Sequence, residues 1–119
     1  MMHKDMEVYK ASMELVKMIY DLCKGFPKEE MFGLTSQMKR AAISVPSNIA
    51  EGNGRKSPKE LNNFLNIALG SLIELETQLE IVWMLQFSLD EIYHHAIENQ
   101  LQKAKRLLIG LIKSVQAKL

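Results

Sequence analysis

Apolar residues recur at spacings of three and four over residues 6–24: Val8, Ala11, Leu15, Val16, Ile19, Leu22 and Cys23. Glu7, Lys10, Glu14, Lys17, Asp21 and Lys24 fall on the opposite side of a 3.6-residue turn. A one-sided amphipathic helix satisfies both sets, and Gly25, Phe26 and Pro27 stop it. A second helix is predicted over residues 35–53, capped by Thr35 or Ser36, with Met38, Ala41, Ala42, Val45 and Ile49 as its buried stripe. Pro46 lies inside this run. It cannot donate to the Ala42 carbonyl and crowds it, so a kink is expected, at ~3 kcal/mol in an unsupported helix. Ser44, Ser47 and Asn48 are the nearby side chains able to bond the freed backbone.

Ser57-Pro58-Lys59-Glu60 carries three start signals together: a capping serine, proline at the first helical position, and a glutamate that closes a capping box. The stripe Leu61, Phe64, Leu65, Ala68, Leu72, Leu75, Leu79 and Val82 carries this third helix to about Phe87, roughly 45 Å at 1.5 Å per residue. Ser88-Leu89-Asp90-Glu91 reads as a second capping box, followed by Ile92, Ala96, Leu101, Ala104, Leu108, Leu111 and Val115. Nothing alternates as a strand does, and no internal repeat is present. Four helices with short connections predict an all-α fold: one up-down-up-down bundle domain over residues 1–119.

The third helix is wider in its apolar band than a monomer needs. Ile67-Ala68-Leu69 and Ile81-Val82-Trp83-Met84-Leu85 are consecutive apolar runs, which cover more than one face. A helix of a four-helix bundle still has an outer face, so the band predicts self-association. Leu69, Ile73, Ile81, Trp83 and Leu85 are the interface candidates.

Composition adds limits. With 119 residues and 47% hydrophobic content, the chain can build one core without metal or disulfide support. Cys23 is the lone cysteine and cannot form an internal disulfide; it reads as a small core residue. The opening MMHKDMEVYK has no apolar signal core, and no uncharged run approaches the ~18 residues of a membrane helix. A cytoplasmic protein without membrane contact is expected. The net charge of +1 names no partner, but its distribution is uneven. Residues 35–60 carry five basic and two acidic side chains, residues 61–91 five acidic and no basic ones, and residues 92–119 five basic and one acidic.

Candidate chemistry is thin. GNGRKS at residues 52–57 has one residue between its glycines and follows a helix, whereas a phosphate-binding loop needs four and a preceding strand. Glu91-Ile92-Tyr93-His94 has the spacing used in di-iron bundles, but such sites need it twice, with two further glutamates. His94 and His95 are therefore expected on the surface. No serine or cysteine has a recognisable histidine base. Glu74, Glu76 and Glu80 are expected to solvate a helix face or pair with Lys103, Lys105 and Arg106. No catalytic residue, metal, cofactor or small-molecule substrate is expected. The basic residues Lys39, Arg40, Arg55, Lys56 and Lys59 are expected to cluster around the turn before the third helix, whose N-terminus also favours anions. They are the nucleic-acid-binding candidates. No aromatic residues interleave with them, so single-strand base stacking is not indicated.

The run MKRAAISVPSNIAEGNGRKSPKE, followed by FLNIALGSLIELETQLE, resembles the bacterial four-helix-bundle proteins encoded in intervening sequences of 23S ribosomal RNA genes. YKASMELVKMIY, FPKEE and FGLTSQ fit upstream, so the resemblance covers roughly residues 6–87; the fourth helix matches in pattern only. It implies a left-handed up-down bundle assembled as a ring, a homopentamer. A related branch, the accessory variability proteins of diversity-generating retroelements, implies a basic-surfaced partner of a reverse transcriptase and its RNA. The ribosomal name reflects gene location. Carried over by position, the motif residues are Arg40, Ser44, Pro46, Ser47, Asn48, Glu51, Gly52 and Arg55, then Gly70, Ser71, Glu74 and Glu76 on the third helix. Their expected role is architectural. Arg40 and Arg55 would form inter-helix or inter-subunit pairs with Glu51, Glu74 or Glu76, Asn48 would satisfy backbone opened by Pro46, and Gly70 would permit a close helix approach. Leu69 departs from the family, which often has a basic residue before Gly-Ser; this removes a charge and adds apolar surface.

The expected function is therefore a non-enzymatic, oligomeric bundle that contacts RNA or an RNA-bound protein. The alternative is a protein-interaction scaffold whose charges serve subunit pairing.

Overall fold

The structure, a computed structural model, describes residues 6–119; the first five residues of the predicted domain lie outside the described residues. Four helices follow one another: α1 (Glu7–Cys23), α2 (Leu34–Asn53), α3 (Pro58–Met84) and α4 (Glu91–Gln116). A single 3-10 turn, Lys28–Glu30, stands between α1 and α2, and no strand occurs among the described residues. No helix among them is long and apolar enough to cross a membrane.

Each helix packs on two others. α1 is adjacent to α2 and α4, α3 is adjacent to α2 and α4, and the two diagonal pairs face each other across the core without close backbone approach. The helices therefore stand at the corners of a square around one core. The predicted stripes of α1 and α2 line it: Leu15, Ile19, Met38, Val45 and Ile49 are essentially inaccessible. So are Leu65, Leu72 and Leu75 from α3. Burial of these side chains, at roughly 1.5–3 kcal/mol for each large one, is the main stabilising term. Cys23 belongs to the same core, and burial pushes its thiol up to about 11, with Lys39 acting weakly the other way. It is a protonated, unreactive core residue at neutral pH.

Polar contacts fix the register of neighbours. The Tyr93 hydroxyl donates to the Met18 carbonyl at 3.1 Å and the Gln100 amide to the Ala11 carbonyl at 2.9 Å, which ties α4 to α1. Lys39 lies over the Tyr20 ring, 4.7 Å from its centre, between α1 and α2.

Helix ends differ from expectation in three places. α2 starts at Leu34, and neither Thr35 nor Ser36 caps it; the Glu30 carboxylate, carried round by the 3-10 turn, accepts from the Leu34 N–H at 3.3 Å. α4 is capped by Asp90, which accepts from the Tyr93 N–H at 2.9 Å, and not by Ser88. The charged oxygen nearer the helix start provides the stronger cap. α3 stops at Met84, three residues short of Phe87. Gln86 adopts φ 61, the Phe87 N–H bonds the Val82 carbonyl at 3.0 Å, and the Gln86 N–H bonds the Trp83 carbonyl at 3.1 Å. This pair of bonds is a Schellman stop with glutamine where glycine is usual, at a cost of about 1 kcal/mol. Phe87 then turns inward, with its ring centre 5.8 Å from that of Phe26.

The Asp90 cap also resets the first turns of α4. Ile92 and Ala96, expected in the core, are exposed, and His94 and Ile97 are buried in their place. Further along, Ile112 is buried where Leu111 was expected, and Leu111 is only half-buried. His94 is thus not a surface residue. Its ring lies 4.8 Å from that of Trp83 and its Nε2 is 3.7 Å from the Glu98 carboxylate. His95 is exposed as expected, 3.1 Å from Glu98.

Candidate nucleic-acid interface

The turn between α2 and α3 is built from both sides. α2 closes at Asn53 with the Gly54 N–H bonded back to the Ala50 and Glu51 carbonyls, and the Arg55 N–H bonds the Gly52 carbonyl. Ser57 then caps α3 by accepting from the Glu60 N–H at 3.1 Å, with Pro58 at the first helical position, as the sequence predicts. The chain reverses tightly because Gly52 lies against α3. A Cβ at Gly52 would stand 2.9 Å from Phe64 Cβ and 3.0 Å from Leu61 Cδ1. Gly70, the expected site of close approach, has nothing within 4 Å of such a Cβ because it faces out of the bundle.

The five basic candidates divide into two groups. Arg55, Lys56 and Lys59 stand at this turn, all exposed. Arg55 is engaged there: it pairs with Glu51 at 3.0 Å and its guanidinium lies over Phe64, 4.9 Å from the ring centre. Lys56 and Lys59 make no hydrogen bond or ion pair among the described residues. Lys39 and Arg40 do not join them. They sit on the first third of α2, about 20 Å away at 1.5 Å per residue, because the helix between them is continuous. Lys39 is half-buried on Tyr20, and Arg40 is exposed with no partner among the described residues, so Arg40 forms no pair with Glu51, Glu74 or Glu76 within the chain.

The motif residues of α2 and α3 meet in a polar seam. The Asn48 amide donates to the Ser44 carbonyl at 2.8 Å and lies 2.9 Å from the Ser44 hydroxyl. The Ser44 and Ser71 hydroxyls are 2.8 Å apart across the two helices. Asn48 thus bonds the Ser44 carbonyl and not the Ala42 carbonyl that Pro46 leaves free. Pro46 itself is buried, while Ser47 is exposed beside it.

A family model for the 23S rRNA-intervening sequence protein matches residues 4–110. The chain belongs to the 23S rRNA-intervening sequence protein family. A solved structure of similar fold is that of a protein of unknown function from the S23 ribosomal protein family of Bacteroides thetaiotaomicron VPI-5482. It is 31% identical, with a TM-score of 0.81, over 95% of this chain and 99% of that one. No curated protein matches the chain.

In this intervening-sequence family member the acidic residues of α3 have separate fates. Glu76 accepts from Gln102 and pairs with Lys105 at 3.1 Å, so one of the expected α3–α4 ion pairs forms. Glu74 accepts from the buried Gln78 on its own helix at 3.0 Å. Glu80 is exposed. Among the described residues no group of three or more His, Cys, Asp or Glu side chains is placed to hold a metal ion. Gln100 and Gln102, which fasten α4 to α1 and α3, were missed by pattern reading. Their signal is only that each flanks the buried Leu101.

The Gln102 amide, and then Lys105, hold the Glu76 carboxyl below the usual carboxylate range, with partial burial pulling the other way. A carboxyl depressed in the folded state stabilises above its unfolded value of ~4.3, and that contribution is lost as pH falls through the folded value. Glu76→Gln is therefore expected to lower stability at neutral pH by about 1 kcal/mol or less. The gap to wild type narrows between neutral pH and an acid pH at which the folded Glu76 carboxyl is protonated. Urea melts at both pH values check this, and an unchanged gap in acid contradicts it.

The five interface candidates also separate. Leu69 is half-buried against the core, so its substitution for a basic residue adds less outward apolar surface than expected. Ile73 is exposed and Ile81 half-buried on the outward side of α3, with Ile67 also exposed. Trp83 and Leu85 stand at the corner where α3 ends.

Proposed function

We propose that this protein is a non-enzymatic, self-associating bundle that contacts RNA, or a protein bound to RNA, through the basic turn between α2 and α3. The observation that carries this reading is the pair Lys56 and Lys59, exposed and unpaired among the described residues, beside the positive end of α3. The bundle in this proposal is left-handed and up-down-up-down, with α2 bent at Pro46. The contacts support the alternating course, because residue numbers run in opposite directions along neighbouring helices: Met18–Tyr93 with Ala11–Gln100 for α1 and α4, and Trp83–His94 with Glu76–Gln102 for α3 and α4, while Gly52 late in α2 lies against Leu61 early in α3. Continued to the ends, that register brings Lys113 and Lys118 near the basic turn. A cytoplasmic setting accords with the buried, free Cys23 thiol.

Self-association is assigned to the outward side of α3, where Ile67 and Ile73 are exposed on either flank of Gly70. A homopentameric ring is the form this takes, as the family resemblance implies. The same resemblance extends the proposal to kinship with the accessory proteins of diversity-generating retroelements, and then to a reverse transcriptase and its RNA as partners.

A scaffold without nucleic-acid contact is the second reading. It is favoured by Arg55 and Lys39, which are already engaged within the chain. Binding of a structured RNA between about 50 and 200 mM salt separates the two. The RNA reading expects the logarithm of affinity to fall with the logarithm of salt. Lys56→Glu with Lys59→Glu should flatten the slope by about 2. No binding even at low salt removes the RNA reading and leaves the scaffold.

A further inference from the structure

The corner where α3 passes into α4 exposes large apolar side chains in close succession: Trp83, Met84, Leu85, Leu89 and Ile92, with Leu89 at 75% and Ile92 at 85%. Their exposure is set by the local architecture. The Schellman stop at Gln86 turns Phe87 inward, and the Asp90 cap fixes α4 in the register that buries His94 and Ile97 and leaves Ile92 outside. A bundle gains nothing in stability from leaving this surface in water, and apolar patches of this kind mark contacts.

On the α3–α4 side of the corner the exposed charge is acidic. Glu80, Asp90 and Glu91 are exposed around the corner, and the chain has no lysine or arginine between Lys59 and Lys103. Two lysines, Lys24 and Lys28, belong to the neighbouring α1–α2 connection, and Lys24 lies 3.7 Å from Asp21.

We propose that this corner docks a basic amphipathic helix of a partner protein. Its apolar side would cover Met84, Leu85, Leu89 and Ile92, and its lysines or arginines would face Glu80, Asp90 and Glu91. The acidic rim selects this occupant. A two-fold pairing of identical corners would set the same carboxylates against one another, and nucleic acid would meet like charge. The surface is separate from the basic turn, so it stands or falls independently of RNA binding; Glu80 and Met84 continue the Ile73 face of α3 at its far end.

Trp83 is the single tryptophan of the chain and stands in the corner, so it reports occupancy directly. The full chain is titrated with a tryptophan-free Leu/Lys amphipathic helix of about 18 residues. The controls are a scrambled peptide of equal composition and a Leu/Glu helix. The Leu/Lys helix is expected to shift Trp83 emission to the blue with saturable binding, and both controls to bind at least about tenfold more weakly. Leu89→Ser with Ile92→Ser should weaken binding by a similar factor without loss of helical signal, since both side chains are exposed. Glu80→Lys with Glu91→Lys should weaken it while leaving the apolar contacts in place. No shift with the Leu/Lys helix, or a shift indifferent to both variants, overturns the proposal. A Trp83 shift that depends on the chain's own concentration without peptide, and is lost in Leu89→Ser with Ile92→Ser, overturns it in favour of a second copy.

Discussion

Gly52→Ala destabilises the bundle by about 1–2 kcal/mol and Gly52→Val by about 3 kcal/mol, although alanine is the better helix former by ~1 kcal/mol. The reason is the neighbour. The new methyl would stand 2.9 Å from Phe64 Cβ, an atom fixed to the α3 backbone that cannot swing aside. Leu61 Cδ1 at 3.0 Å could move, but only into the core it helps to seal. The two helices would have to separate where the chain reverses, and with them the stacked Arg55–Phe64 pair and the Ser44–Ser71 contact. Gly110→Ala on α4 is the control, because nothing lies within 4 Å of a Cβ there. It is expected to stabilise by about 0.5–1 kcal/mol through helix propensity. Urea unfolding of both variants reads the opposite signs directly. A neutral or stabilising Gly52→Ala would show that α2 and α3 do not meet this closely.

Ile67→Asp with Ile73→Asp is expected to reduce the assembly to single chains while each chain stays folded. Both isoleucines are about half exposed, so in an isolated bundle the change removes apolar surface from water and leaves the core untouched. At an interface the same change buries two carboxylates per subunit, each costing several kcal/mol without a partner. Gly70 lies between them with open space outside its Cα, which allows a neighbouring chain to approach closely. Mass by light scattering and helicity by circular dichroism check the prediction together. An assembly of unchanged mass would move the contact away from this side of α3.

The helical stripes were legible because a core facing one way imposes a 3.6-residue period, and most predicted core positions of α1, α2 and α3 are buried. The Ser57 cap was legible because three adjacent residue types agree. Errors arose where two signals competed over a few residues. Ser88 and Asp90 both qualify as caps, and the two-residue difference decides whether Ile92 or His94 faces inward. The role of Gly52 was hidden because close approach depends on which way the neighbouring helix lies, and composition treats Gly52 and Gly70 alike. The basic residues were read as one cluster although the predicted second helix already separates them: α2 continues through Pro46 and carries Lys39 and Arg40 away from the turn.

Light scattering on the wild-type chain at micromolar concentration is the direct test of a self-associating bundle. The expected mass is several times the 13.6 kDa of one chain, and five times that value for the proposed ring. A mass of 13.6 kDa under those conditions would contradict it, and the outward isoleucines of α3 would then need another partner.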